Sequence, residues 1–391
     1  MLRKVNVTST SKTSLSERVY IGIFGKTNSG KSTLLNYLTG QDAAIVSPIE
    51  GTTTDPIRKA MEITDFGPVV FIDTAGTADG SELGKERYKK TLAEIDKVDV
   101  FLYVLSPGDD LEILPKFKDK PVIYLAMKVD TGEGSQTLKD FAGKNPIGVD
   151  LSSTKSRDEI FGKIKGLYKE EDFTITKNLV KKGDMVVLVM PQDAAAPKDR
   201  LIKPQVMTIR EIIDKGASAI CTDLSNFEST IASLNKIDLI ITDSQAFKEV
   251  YEKKPSDVKL TSFSVLFSAF KGDLDYFVES ANVLDGDIKN ILIAEACSHP
   301  PIDEDIGSVK IPKLIRKTHP AINIDFARGN DPIAYEKYDL IIACGSCMFN
   351  RTHVLSRVAK AKEAGTPMTN YGIAIAKLNG ILEKISLPDK K

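Results

Sequence analysis

Gly25-Lys26-Thr27-Asn28-Ser29-Gly30-Lys31-Ser32 follows the apolar run Val19–Phe24 and opens Ser32–Leu38, whose apolar residues carry helical spacing. The pattern is G-x-x-x-x-G-K-S/T, set between a strand and a helix as a phosphate-binding loop requires. Glycine lets the backbone wrap an anion without a Cβ clash. Successive N–H groups and the helix N-terminus then face the phosphate oxygens. Lys31 is placed to bridge β- and γ-phosphates and Ser32 to hold Mg2+. Gly25, Ser29, Gly30 and Thr33 complete the nucleotide contacts.

Outward from this loop, strand-like runs at Val69–Ile72, Val100–Leu105 and Val122–Ala126 alternate with helix-capable stretches such as Glu82–Lys97. That alternation predicts an α/β fold with a parallel sheet covered on both faces. Asp73-Thr-Ala-Gly76 follows the second run: Asp73 can reach the Mg2+ shell and the Gly76 N–H a γ-phosphate. Between the two lies Gly51-Thr-Thr-Thr-Asp55, where Thr53 could close on Mg2+ when triphosphate is bound. Lys31, Thr53, Asp73 and Gly76 form the expected catalytic set.

Base selection is read at Met127-Lys128-Val129-Asp130, which stands where guanine-binding domains carry Asn-Lys-x-Asp. Asp130 can accept from the guanine N1–H and 2-amino group, and Lys128 can cover the base. The Asn amide that normally buttresses this loop is absent. Ser152 and Ser153, after the apolar region Ile147–Leu151, could supply the last loop around the base. GTP or GDP with Mg2+ is therefore the expected ligand.

At 391 residues, and about 150 residues per domain, two or three domains are expected. Lys plus Arg number 53 against 54 Asp plus Glu, which leaves a formal charge of −1 and excludes a polyanion sponge. Apolar residues at 42% and charged residues at 27% describe an ordinary globular protein. No apolar run is long enough to span a bilayer, and residues 1–17 lack the apolar core of a signal peptide. A cytoplasmic protein with neither membrane nor nucleic acid as partner is expected.

A charged stretch, Tyr168–Asp172 and then Lys181–Asp184, reads as the exit from the first domain. The expected division is 1–172 for a P-loop GTPase domain, followed by 173–262 and 263–391 as two further α/β domains. In the middle segment Met185–Met190, Ala219–Thr222 and Leu239–Thr242 read as strands and Val206–Lys215 as a helix. Nothing there gathers nucleophile, base and ligand, so its expected role is to position a neighbour or to pair with another copy. In the last segment, Asn290–Ala294 ends just before Cys297 and Tyr338–Ala343 just before Cys344. No repeat at a fixed spacing is read.

Cys297-Ser298-His299 and Cys344-Gly345-Ser346-Cys347 hold three of the 4 cysteines and one of the 3 histidines. Three thiolates can hold three corners of a cubane and leave its fourth iron open. With His299 they could instead make a structural zinc site, or Cys344 and Cys347 could be a redox dithiol. The spacing leaves these readings open. Cys221, after Ala219–Ile220, reads as a small buried hydrophobe.

Residues 18–170 resemble the GTPases related to the tRNA-modification enzyme MnmE and to Era. The resemblance implies a K+ ion bound with help from Asn28, and a mobile switch at Gly51–Asp55. Thr77 stands where Ras-like proteins carry a water-orienting Gln, which implies slow intrinsic turnover. Both sites together, with 183–190, 201–210, 263–268 and 271–274, resemble the HydF family of [FeFe]-hydrogenase maturation GTPases. That resemblance implies a homodimer, with 173–262 as the dimerisation domain and 263–391 as the iron–sulfur cluster-binding domain, and a [4Fe-4S] cluster on Cys297, Cys344 and Cys347, with His299 in the motif. It also implies a carrier that receives a diiron precursor from radical-SAM enzymes and delivers it to apo-[FeFe]-hydrogenase. The family's second His, before Cys344, is Ala343 here. The alternative class is an RNA- or ribosome-directed GTPase of the Era or MnmE type with structural zinc. Neutral charge, and the lack of a recognisable RNA-binding module after residue 180, speak against it.

Overall fold

The computed structural model describes residues 17–40, 47–49, 56–74, 82–118, 120–168, 174–191, 201–296, 305–346 and 348–389. The chain divides into two compact units, 1–170 and 171–391.

The first unit runs β1 (Val19–Gly25), α1 (Lys31–Leu38), β2 (Ser47–Ile49), β3 (Ile57–Ile63), β4 (Gly67–Asp73), α2 (Glu82–Ile95), β5 (Val100–Leu105), β6 (Val122–Ala126), α3 (Gly132–Asp140), β7 (Ile147–Gly148) and α4 (Thr154–Leu167). These strands form one seven-stranded sheet in the order β2-β3-β4-β1-β5-β6-β7. All neighbours are parallel except at β2–β3 and β3–β4, which pair antiparallel. β5 is apolar and buried along its whole length, as expected of a central strand covered on both faces. Ile21, Ile23 and Leu102 pack into one core layer and Phe24, Phe101 and Phe117 into the other. Strand order reverses at β1, between β4 and β5, and such a switch point is where open α/β sheets bind ligands. The phosphate loop leaves β1 at that point, with Ile23 in register with Asp73.

The second unit holds two four-stranded parallel sheets. Its first half is β8 (Met185–Val189), α5 (Lys203–Asp214), β9 (Ser218–Thr222), α6 (Phe227–Ala232), β10 (Leu239–Thr242), α7 (Phe247–Lys253), β11 (Lys259–Ser262) and α8 (Phe263–Lys271). Its second half is α9 (Leu274–Ala281), β12 (Asn290–Glu295), α10 (Ile311–Thr318), β13 (Asn323–Arg328), β14 (Leu340–Ala343), α11 (Arg351–Glu363), β15 (Met368–Asn370) and α12 (Tyr371–Leu378). The sheet orders are β11-β10-β8-β9 and β13-β12-β14-β15, the same topology read from opposite ends.

The two halves also share local devices. Asp238 accepts from the Met185 N–H at 2.8 Å, and Asp339 accepts from the Asn290 N–H at 2.9 Å. Each carboxylate stands just before the third strand, in Lys236-Ile-Asp-Leu-Ile-Ile and Lys337-Tyr-Asp-Leu-Ile-Ile. Ser262 and Asn370 cap α8 and α12 in the same way. The duplication escapes a fixed-spacing search because the intervening loops differ, as the pairs Asp238/Asp339 and Ser262/Asn370 show. One core joins the halves, with Val187 and Ile240 packed in the same cluster as Leu292 and Ile341.

The sequence expectation for Cys221 is corrected. It sits on β9, an edge strand, and is exposed. An edge strand has one neighbour, so an apolar sequence run there does not guarantee cover. Among the described residues no helix is long and apolar enough to cross a membrane.

Candidate functional site

The loop after β1 is wound tightly. Gly25 has φ +147°, and a Cβ there would lie 2.5 Å from the Val104 carbonyl oxygen. Asn28 and Gly30 take left-handed φ of 62° and 98°. Lys31 is only 7% exposed. Its Nζ donates to the Gly25 and Lys26 carbonyls at 3.1 and 2.7 Å. Ser32 Oγ donates to Asp73 Oδ2 at 2.5 Å, joining α1 to the end of β4. Among the described residues, Asp73 Oδ1 and Ser29 Oγ are buried without a hydrogen-bond partner. Burial pushes the Asp73 carboxyl above the ordinary carboxylate range, against the smaller pulls of Ser32 and Lys31. Burial likewise lowers Lys31, with Asp73 opposing. Two desolvated groups of opposite charge and an unsatisfied carboxylate oxygen fit a phosphate with its Mg2+ ion.

The base side is built differently from its sequence pattern. Met127 is buried at the end of β6. Its Cγ would lie 3.3 Å from a Cβ at Gly30, so the thioether packs on the phosphate loop where an Asn amide was expected to buttress it. Lys128 has φ 57° and its Nζ pairs with Glu133 at 3.0 Å. Its carbonyl is so close to Gly134 that a Cβ there would come within 2.2 Å. Asp130 is exposed. Asp150 Oδ1 accepts from the Ser152 N–H and hydroxyl at 2.9 and 2.6 Å, which shapes the last loop. Ser153 caps α4 by accepting from the Lys155 N–H at 3.2 Å. Tyr37, on α1, donates to the Ser153 carbonyl and accepts from the Arg157 N–H at 3.0 Å. Sequence reasoning passed over Tyr37, which only the tertiary structure brings to the last loop, and over Gly134 and Asp150, which act locally on Lys128 and Ser152. Thr53 and Gly76 lie outside the described residues.

In the second unit β12 and β14 pair in parallel, with Ala294 opposite Ala343. The Cys344 N–H donates to the Ala294 carbonyl at 2.9 Å, and the Ala296 N–H donates to Cys344 Sγ at 3.0 Å. Cys344 packs beside Ala296, Phe349 and Val354. Ser346 is left-handed at φ 51°, and its hydroxyl donates to the Cys344 carbonyl at 3.1 Å. Tyr371 donates to Glu295 Oε1 at 3.2 Å; burial, then the charges of Cys344 and Glu295, push its hydroxyl up. Ala343 is buried in the core. Cys297, His299 and Cys347 lie outside the described residues, among which no three metal-ligating side chains are gathered. The fit therefore rests on Cys344. A partly exposed sulfur that accepts a backbone N–H, one strand over from the run entering Cys297, suits a thiolate-bound cluster.

A phosphate loop at the switch point of this sheet, with Ser32 on Asp73, defines a P-loop GTPase domain, and the 50S ribosome-binding GTPase family matches residues 20–128. The hydrogen maturase F dimerization domain matches 175–272 and the hydrogen maturase F tetramerization domain 275–387, together more than half of the chain. The chain belongs to the hydrogen maturase F family, and its first unit is a GTPase domain. The tRNA modification GTPase MnmE of Ruthia magnifica is 32% identical over 179 residues, 44% of this chain and 40% of the relative. MnmE of Roseobacter denitrificans is 38% identical over 171 residues, 42% of this chain and 36% of the relative. The chain thus spans about 40% or less of the length of these curated relatives. A crystal structure of Era from Aquifex aeolicus is 21% identical, covering 60% of this chain and 97% of that one at a TM-score of 0.31.

Proposed function

We propose that this GTPase is a cytoplasmic carrier that binds a [4Fe-4S] cluster on Cys297, Cys344 and Cys347. It receives the diiron precursor of the hydrogenase active site from radical-SAM enzymes and delivers it to apo-[FeFe]-hydrogenase. The observation that carries the reading is Cys344: its sulfur accepts the Ala296 N–H where two parallel strands end, in a chain whose other unit is a GTPase. The cluster would supply an iron with an exchangeable position. His299 stands in the motif as a neighbour or exchangeable ligand.

At the nucleotide site, Lys31 and the loop N–H groups of Gly25, Ser29, Gly30 and Thr33 hold the phosphates. Ser32, Thr53 and Asp73 would hold Mg2+, which when bound would supply positive charge beside the transferred group. The Gly76 N–H meets the γ-phosphate, and Asn28 offers a carbonyl oxygen to K+. Lys128, Asp130, Ser152 and Ser153 enclose guanine. Hydrolysis regulates partner exchange, because phosphate chemistry has no direct use at a cysteine site.

A homodimer is supported by β9 and α5. Edge strand β9 leaves Cys221 exposed, and Val206 and Ile213 on α5 are 50% and 57% exposed. Anaerobic reconstitution tests the carrier reading. A brown protein with bound iron and a thiolate-to-iron band is expected. A colourless protein holding zinc would return it to a zinc-stabilised GTPase of the MnmE or Era type.

A further inference from the structure

Lys271 closes α8, the helix that follows the first sheet of the second unit, yet its side chain serves the other half. It is 3% exposed. Its Nζ donates to the Ser346 carbonyl at 3.0 Å and the Phe349 carbonyl at 2.7 Å. Those carbonyls bracket position 347 in the Cys344–Cys347 turn. A second tie runs alongside, from Arg351 Nε to the Phe270 carbonyl at 3.2 Å. Phe263, Leu266 and Phe267 root the same helix among Val186, Leu188 and Leu239.

A lysine at a helix C-terminus commonly satisfies the last carbonyls of its own helix. Here both acceptors belong to a turn more than seventy residues away in sequence. The duplicated fold gives an internal control. Counting from the capping residues Ser262 and Asn370, the counterpart of Lys271 is Asn379, the residue that caps the C-terminus of α12, and each is followed by glycine. Asn379 is half-buried and bonds the Ile375 carbonyl of its own helix at 2.9 Å. The fold unit therefore does not itself call for a buried ammonium at this place.

We infer that Lys271 is a positioning residue for the iron–sulfur site: it ties the backbone at Ser346 and Phe349, on either side of position 347, to the first half of the unit and brings a positive charge to the segment that follows Cys344. This rests on the cluster reading above. Two charge-assisted hydrogen bonds fix Ser346 and Phe349, so the described backbone after Cys344 is held before the cluster arrives. Reduction adds negative charge to the cluster. A buried cation nearby favours that state and raises the reduction potential, because the low-dielectric surroundings screen it weakly.

The test compares wild type, Lys271→Met and Lys271→Arg after anaerobic reconstitution of the full chain. The readouts are iron release to a chelator and the midpoint potential of the cluster; GTPase rate and oligomeric state report folding. Lys271→Met is expected to lose iron several-fold faster and to shift the potential to more negative values. Lys271→Arg, which keeps charge and donors, should recover most of both. Should Lys271→Met not fold, Lys271→Gln carries the same comparison. A folded neutral variant with wild-type iron retention and potential overturns the proposal. Wild-type protein that takes up no iron overturns the cluster reading itself, and this proposal with it.

Discussion

Ser32 Oγ donates to Asp73 Oδ2 at 2.5 Å, while the other carboxylate oxygen of Asp73 is buried with no hydrogen-bond partner among the described residues. Half of that carboxylate is satisfied and half is left to a ligand. Burial raises the Asp73 pKa above its unfolded value, so the folded, nucleotide-free protein holds this proton more tightly than the unfolded chain. Its contribution to stability is present below the unfolded pKa and is lost as pH rises through the folded pKa. Asp73→Asn removes that loss. Thermal unfolding without nucleotide should show wild type falling below Asp73→Asn as pH rises through this window. With GTP and Mg2+ the order should reverse, because the variant lacks the carboxylate that meets the metal. Parallel pH profiles for the two proteins would remove the role assigned to Oδ1.

Lys31 is held by two carbonyls of its own loop, so its ammonium needs little reorganisation to meet phosphate. Lys31→Ala should reduce hydrolysis at least 100-fold, a barrier increase of about 3 kcal/mol or more, as for loss of a preorganised donor to developing charge. Single-turnover hydrolysis at saturating GTP checks it; an unchanged rate would end the phosphate-loop assignment.

Met127 packs on Gly30 through its side-chain carbons, which changes what its replacement should do. Met127→Asn restores an amide beside Lys128 and Asp130 but takes apolar packing from the phosphate loop. The GTP-over-ATP preference should rise while thermal stability falls by about 1–3 kcal/mol, the range for substituting a buried side chain. Competition binding of both nucleotides to the two proteins measures the first effect. An unchanged preference would mean that the backbone or Ser152 already serves the amide's function.

The strands that carry the sites were legible because they are buried on both faces. β1, β5, β8, β12 and β14 stand in the sequence as near-continuous apolar runs. The edges were not. β13, with Asp325 and Phe326 exposed, has no one-sided pattern, and without it the twin topology of the second unit cannot be seen. Cys221 misled for the same reason: hydrophobicity reports what a residue tolerates, whereas cover depends on which strand is last in the sheet. Lys31 and Ser32 were readable from a contiguous motif whose geometry is local. Tyr37 and Lys271 act on partners far along the chain, and no spacing announces them.

Asn28 stands left-handed in the phosphate loop, a conformation that asparagine tolerates better than most residues, so turn formation alone could account for it. Potassium separates the two roles. If the side-chain carbonyl helps hold a cation between phosphates, GTP hydrolysis should be faster in K+ than in Na+ at equal ionic strength. Asn28→Gly, which keeps the turn, should erase the difference. Equal wild-type rates in both salts would leave Asn28 as a turn former.

The biological role rests on the cysteines. Cys344 already accepts a backbone N–H at its sulfur, so Cys344→Ser preserves the turn's shape while removing the soft donor. Single Cys→Ser changes at Cys297, Cys344 and Cys347 should each reduce bound iron sharply, because two thiolates retain a cubane poorly. Cys221→Ser, on the exposed edge of the other sheet, should leave iron unchanged. His299→Ala should lower iron only modestly if the site holds a cluster, whereas a four-ligand zinc site would lose its metal. GTPase rates should persist in all of these variants, since the nucleotide site lies in the other unit. In a maturation assay with apo-hydrogenase, activation should fail for the three thiolate variants and survive in Cys221→Ser. Full activation by a triple variant lacking all three thiolates would separate the cysteines from the carrier role and sink that reading.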